Sequence, residues 1–176
     1  MPVPESEQMK SPGKESDMQG YEKEINAFLV EVFHTILRAE ERYISAHGRR
    51  DLSISEMHVI EAVCGLEAKG RNSVSEIAAH LSITPGSLTT AVNVLVGKGY
   101  LARGRDPADG RRVRITALPS AHRANDLHKR FHRDMVAHAL EALTGEETAV
   151  FAKSLRALAG FFRARHGKDG NESRPS

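Results

Sequence analysis

The stretch from Asn72 to Thr116 leaves this chain the fewest ways to fold. Ser73-Val-Ser-Glu76 has the form of a capping box, in which the hydroxyl serves one helix-end amide and the glutamate answers it. It opens a short helix through Leu81, with Ile77, Ala78 and Leu81 at inward-facing helical spacing. Ser82-Ile83 is a turn. Thr84-Pro85 is the next start signal, a capping hydroxyl followed by proline at the first helical position. That helix runs to Lys98 and ends at Gly99. Leu88, Ala91, Val92 and Leu95 form its apolar edge, which leaves Ser87, Thr89, Thr90 and Asn93 on its other faces. Two strands follow, Tyr100–Arg105 and Arg111–Thr116. Asp106-Pro-Ala-Asp-Gly110 between them is rich in turn-forming residues.

Charge is concentrated here. Lys98, Arg103, Arg105, Arg111, Arg112 and Arg114 stand against Asp106 and Asp109, a net +4, whereas the whole chain carries only +2. A short helix, a tight turn, a polar-faced second helix and a basic hairpin make a winged helix-turn-helix, a device for reading duplex DNA. The second helix would enter the major groove and present Thr84, Ser87, Thr89, Thr90 and Asn93. Hydroxyls can donate or accept, a threonine methyl can meet thymine, and Asn93 can bind adenine at two atoms. Thr84 lies at a helix N-terminus, where a phosphate is welcome. Arg111 is the first candidate for the minor groove. Arg103, Arg105, Arg112 and Arg114 are candidate phosphate ligands. Asp109 is expected to orient an arginine, because a carboxylate facing phosphate repels.

The flanks are helical. Ile25, Phe28, Leu29, Val32, Phe33, Ile36 and Leu37 make a wide apolar stripe on a helix from about Tyr21 to His47. Ser53-Ile-Ser-Glu56 is another capping box, and its helix buries Met57, Ile60, Val63 and Cys64. After Pro119 a long helix carries Leu127, Phe131, Met135 and Leu143. Thr144-Gly-Glu-Glu147 then opens a last helix with Val150, Phe151, Leu155, Leu158 and Phe162. The fold class is therefore mostly α with a small β-wing. The expected organisation is a disordered extension over 1–20, a single domain over 21–166 and a flexible tail over 167–176. Within the domain, helices at about 21–50 and 119–166 flank a winged helix at about 53–116. The compact winged module offers these flanking helices no partner, so a second copy of the chain is expected to cover them in a two-fold dimer. Its two reading helices would then lie roughly 34 Å apart and require a near-palindromic operator.

Other classes find little support. Hydrophobic residues make up 40% and charged residues 27% of 176, ordinary for one globular domain. The single cysteine, Cys64, forbids an internal disulfide and suits a reducing cytoplasm. The first twenty residues lack the apolar core of a signal peptide, and no run is long enough to read as a membrane span. No nucleophile elbow, glycine-rich phosphate loop or Cys-x-x-Cys pair points to catalysis, and no cofactor is expected.

The chain resembles the MarR family of bacterial transcriptional regulators. The matching pieces are Leu52-Ser-Ile-Ser55, Val74-Ser-Glu-Ile-Ala-Ala-His-Leu81, the helix from Thr84 to Tyr100, and Arg105-Asp-Pro-x-Asp-Gly-Arg111. It departs from the family at Ala117-Leu-Pro-Ser-Ala121, where Leu-Thr-x-x-Gly is usual. Within the family it is most similar to the fatty-acid-biosynthesis repressors of the FabT type. That likeness rests on Ile54-Ser-Glu-Met-His58, Gly86-Ser-Leu-Thr-Thr90, Lys98-Gly-Tyr100 and Leu127-His-Lys-Arg-Phe-His132. The resemblance implies a repressor of fatty-acid synthesis genes with long-chain acyl-acyl carrier protein as corepressor. Phe28, Phe33, Leu37, Met57, Ile60 and Val63 are candidates to line an acyl slot. Arg49-Arg50 and Lys129-Arg130-Arg133 are candidate docking patches for the acidic carrier. The alternative effectors are zinc and a small aromatic or lipophilic ligand. For zinc, His128 and His132 share a helix face, with His34, His122, His138, Glu40 or Glu41 to complete a site.

Overall fold

The structure, a computed structural model, describes residues 12–106, 109–110 and 112–169, without the side chains of 12–17, 163 and 165–169. In chain order the elements are α1 Pro12–Ala46, α2 Ile54–Glu67, α3 Val74–Leu81 and α4 Pro85–Gly97. These are followed by β1 Leu101–Arg105, β2 Val113–Ala117, α5 Pro119–Leu140 and α6 Gly145–Asp169. The chain divides into two compact units, one through His128 and one from Lys129 onward.

In the first unit α2 is the centre of the core. Met57, Val59, Ile60, Ala62, Val63 and Leu66 are all buried, so the helix is covered on several sides. The same cluster takes Ile77 from α3, Leu88, Val92 and Leu95 from α4, Leu101 from β1, Ile115 from β2, and Ala121 and Ala124 from α5. The two strands pair antiparallel, with Leu101 opposite Ala117 and Arg105 opposite Val113. Asn72 adds a short third edge. Its carbonyl accepts from Ile115 N–H at 2.9 Å, and its side-chain amide donates to the Ile115 carbonyl at 2.8 Å.

All three capping boxes form. Ser53 with Glu56 starts α2, Ser73 with Glu76 starts α3, and Thr144 with Glu147 starts α6. The turn between α3 and α4 places Ser82 in the left-handed region at φ 55°, a conformation that costs a non-glycine residue about 1 kcal/mol. Its N–H is satisfied by the carbonyls of Ala78 and Ala79. Gly99, at φ 73°, ends α4 and turns the chain into β1.

Three boundaries differ from the sequence reading in ways that matter. The expected disordered extension over 1–20 is overturned for residues 12–20, which continue α1. Pro12 suits a first helical position, and Lys, Glu, Met and Gln favour the turns that follow. Residues 1–11 lie outside the described residues. The last helix continues to Asp169, past the expected end of the domain, and the remainder of the expected tail lies outside the described residues. β2 starts at Val113 rather than Arg111. The departure at Ala117-Leu-Pro-Ser-Ala121 still starts a helix, with Pro119 as its first residue. There Leu118 N–H donates to the Tyr100 carbonyl at 2.9 Å, and the Ser120 hydroxyl donates to the Gly99 carbonyl.

Apolar side chains stay exposed in both units. In the first most lie on α1, among them Met18, Tyr21, Ile25, Phe28, Val30 and Phe33. In the second most lie on α6, namely Val150, Phe151, Leu155, Phe161 and Phe162. Among the described residues no helix is long and apolar enough to cross a membrane.

One ion pair ties the end of α4 to the start of α2. Lys98 Nζ lies 2.8 Å from Glu56 Oε1 and also donates to the Asp51 carbonyl. Burial raises the Glu56 pKa, but Lys98 and the Ser53 amide outweigh it and hold the group below its ordinary 4.5. A depressed carboxylate stabilises the fold above its unfolded pKa, and that stability is lost as pH falls through the folded value. Lys98→Met is therefore expected to cost about 1–2 kcal/mol at pH 7. Urea unfolding across pH 3 to 7 should show the gap from wild type closing below about pH 4.5.

Candidate nucleic-acid interface

Helix α4 is anchored by its buried Leu88, Val92 and Leu95, and this sets which side chains face outward. Ser87, Thr90 and Asn93 are exposed and Thr89 is half-buried. The Thr84 hydroxyl accepts from Ser87 N–H at 3.1 Å and shares a hydrogen bond with the Ser87 hydroxyl at 2.8 Å. Thr84 and Ser87 thus cap the helix in the free chain, while Asn93 projects further along it. Thr90 Oγ1 donates to the Gly86 carbonyl at 3.3 Å. A Cβ at Gly86 would meet only the Thr84 hydroxyl oxygen, at an ordinary 3.8 Å. The glycine is thus not forced by internal crowding, and it leaves the backbone open to close approach from outside.

The hairpin is braced from within. Arg103 Nη2 donates to the Thr89 carbonyl at 3.2 Å and ties the wing to α4. Arg114 Nε donates to Asp106 Oδ2 at 2.8 Å, and that aspartate is buried. Asp106 N–H donates to the Arg112 carbonyl and Arg112 N–H to the Asp109 carbonyl, each at 2.9 Å. Arg114, read from sequence as a phosphate ligand, is therefore engaged within the hairpin, at the turn end of its ladder. The acidic partner of Arg114 is Asp106, a role the sequence reading did not assign to it. Arg105 and Arg112 are exposed. Arg111 lies outside the described residues.

Tyr100 fixes the junction of helix and wing. Its hydroxyl donates to Asp51 Oδ1 at 3.2 Å. Burial, then the Asp51 hydrogen bond and charge, push the phenol above its ordinary pKa, so it stays a neutral donor.

The candidate slot residues are divided. Met57, Ile60 and Val63 are wholly buried in the core, Leu37 is half-buried, and Phe28 and Phe33 are exposed on α1. Of the candidate metal ligands, the structure brings Glu40 and His128 together with His58, which sequence spacing had not singled out. The available signal was a histidine set between the buried Met57 and Val59 of α2. His132 falls in the second unit. His122 Nδ1 lies 3.8 Å from Cys64 Sγ, and His138 Nδ1 lies 3.1 Å from Glu141 Oε2.

A sequence profile described as MarR family matches residues 50–112. No curated protein sequence matches the chain. Among solved structures, Streptococcus pneumoniae FabT in complex with DNA is 33% identical, with a TM-score of 0.73 over 81% of this chain and 97% of that one. YusO from Bacillus subtilis shares the fold at 21% identity, with a TM-score of 0.60 over 86% of this chain and 99% of that one. A mutant MarR from E. coli complexed with operator DNA does so at 21% identity, with a TM-score of 0.53 over 74% and 92%. An exposed polar face on a helix-turn-helix, an arginine hairpin beside it and one-third identity over most of both chains agree: the chain belongs to the MarR family of DNA-binding transcription regulators.

Proposed function

We propose that the protein works as a two-fold dimer that represses transcription by binding a near-palindromic operator. Each protomer places α4 in a major groove and its hairpin over the neighbouring minor groove and phosphates. The observation that carries this is the exposed row of Ser87, Thr90 and Asn93 beside exposed Arg105 and Arg112. The exposed apolar faces of α1 and of α6 supply surface for a second copy. The likeness to S. pneumoniae FabT, solved with DNA, supports the same reading. Affinity should fall steeply with salt, because arginine contacts release counterions from phosphate.

The regulated genes in this reading are those of fatty-acid synthesis, and the corepressor is long-chain acyl-acyl carrier protein. Two features support it: the Leu127-His-Lys-Arg-Phe-His132 segment, and the exposed cations Lys129, Arg130 and Arg133 in the second unit. Phe28, Phe33, Leu37, Met57, Ile60 and Val63 are proposed to hold the acyl chain once a second surface covers Phe28 and Phe33. A corepressor strengthens repression only by binding the DNA-competent dimer better than other arrangements. Native mass spectrometry checks this: long-chain acylated carrier should form a complex and tighten DNA binding. Equal binding of unacylated carrier would defeat the acyl reading and leave the DNA reading standing.

A further inference from the structure

Glu40 of α1 is 1% exposed, and two imidazoles converge on it. His128 Nε2 of α5 bonds Glu40 Oε1, and His58 Nε2 of α2 stands 3.9 Å from the same oxygen. One ligand atom from each of the three residues lies within 4.8 Å of the other two. A second carboxylate lies behind the buried ring: Glu61 Oε2 is 3.8 Å from His128 Nδ1.

A buried carboxylate needs a positive partner. A neutral imidazole offers one N–H and one lone pair. Nε2 of His128 can therefore meet the Glu40 oxygen in two ways: as an N–H donor, or, with the proton on Nδ1, through a lone pair. A lone pair facing a carboxylate repels it unless a cation lies between them. Two imidazoles and a carboxylate aimed at one point make a ligand set that can hold a metal ion.

We propose that Glu40, His58 and His128 form a binding site for one divalent transition ion of the zinc class per chain. Two imidazoles and one carboxylate suit zinc, cobalt and nickel better than calcium or magnesium. Zinc–nitrogen bonds of about 2.0–2.1 Å place neighbouring tetrahedral ligands about 3.3 Å apart, so the ion requires the 3.9 Å separation at His58 to close a little and the bonded His128–Glu40 pair to open. The His58 side chain is 41% exposed, so the fourth position faces solvent and the ion has a way in. The ion would join α1, α2 and α5. On α2, His58 lies two residues beyond Glu56, the partner of Lys98 at the end of α4. Occupancy thus acts on the helix that positions the DNA-reading helix. The site is independent of the DNA reading and is tested without DNA.

Full-length protein, stripped with chelator and dialysed, is titrated with zinc(II) against a chromogenic competitor. One ion per chain should bind, and zinc should raise Tm. Cobalt(II) should give the visible bands of a four- or five-coordinate nitrogen and oxygen site. His58→Ala alters a half-exposed residue and should fold, yet lose the zinc-dependent rise in Tm and at least about tenfold in affinity. Binding of less than one ion per chain would overturn the proposal. So would a bound ion whose affinity is the same in wild type, His58→Ala and Glu40→Gln, because that ion sits elsewhere.

Discussion

Replacing Arg105 and Arg112 together by alanine is expected to lower affinity for operator duplex by roughly 100-fold or more at 0.1 M salt. Both side chains are exposed and the hairpin is braced by Arg103 and Arg114, so the fold should survive the change. A dimer loses two contacts for each position changed, so four phosphate contacts disappear. The slope of log affinity against log salt should then shrink by roughly 3 to 4. Asn93→Ala should behave differently. It should cost about 1–3 kcal/mol per half-site and relax preference at one base pair, with the salt slope unchanged. The duplex for this titration is selected by affinity from a randomised pool, and binding is read by fluorescence anisotropy. A salt slope that the arginine variant leaves intact would remove the wing from the DNA contact. Arg111→Ala should add to the loss.

Replacing Phe28 and Phe33 together by aspartate is expected to leave a folded monomer that no longer holds DNA. These rings are 60% and 62% exposed in a single chain, so their removal costs the protomer little. A second copy covering them would gain about 1.5–3 kcal/mol for each ring, and a dimer contains four such rings. Aspartates in their place would be buried without partners, which adds a further penalty. The dimer dissociation constant should therefore rise by more than about 10^4-fold. Light scattering should report one chain's mass at micromolar concentration, with helicity and Tm near wild type. A variant that remains dimeric would show that α1 is not the fastening surface.

The local devices of this fold were legible because each is written in a few adjacent residues. A hydroxyl followed three residues later by glutamate caps a helix wherever it occurs, and all three such boxes form. Thr84-Pro85 starts α4 and Gly99 ends it for the same reason. Spacing also determined the outward face of α4, since Leu88, Val92 and Leu95 can be buried together only if Ser87, Thr90 and Asn93 point away.

Pairings across long separations were decided by tertiary structure alone. Nothing near Arg114 distinguishes Asp106 from Asp109 as its partner; the register of the hairpin does. Nothing near Lys98 names Glu56, 42 residues away. Glu40 and His128 meet across 88 residues, with His58 alongside, because the packing of the first unit brings α1, α2 and α5 to one place. Periodicity reports which side of a helix is apolar, whereas the neighbour that side meets depends on the whole core.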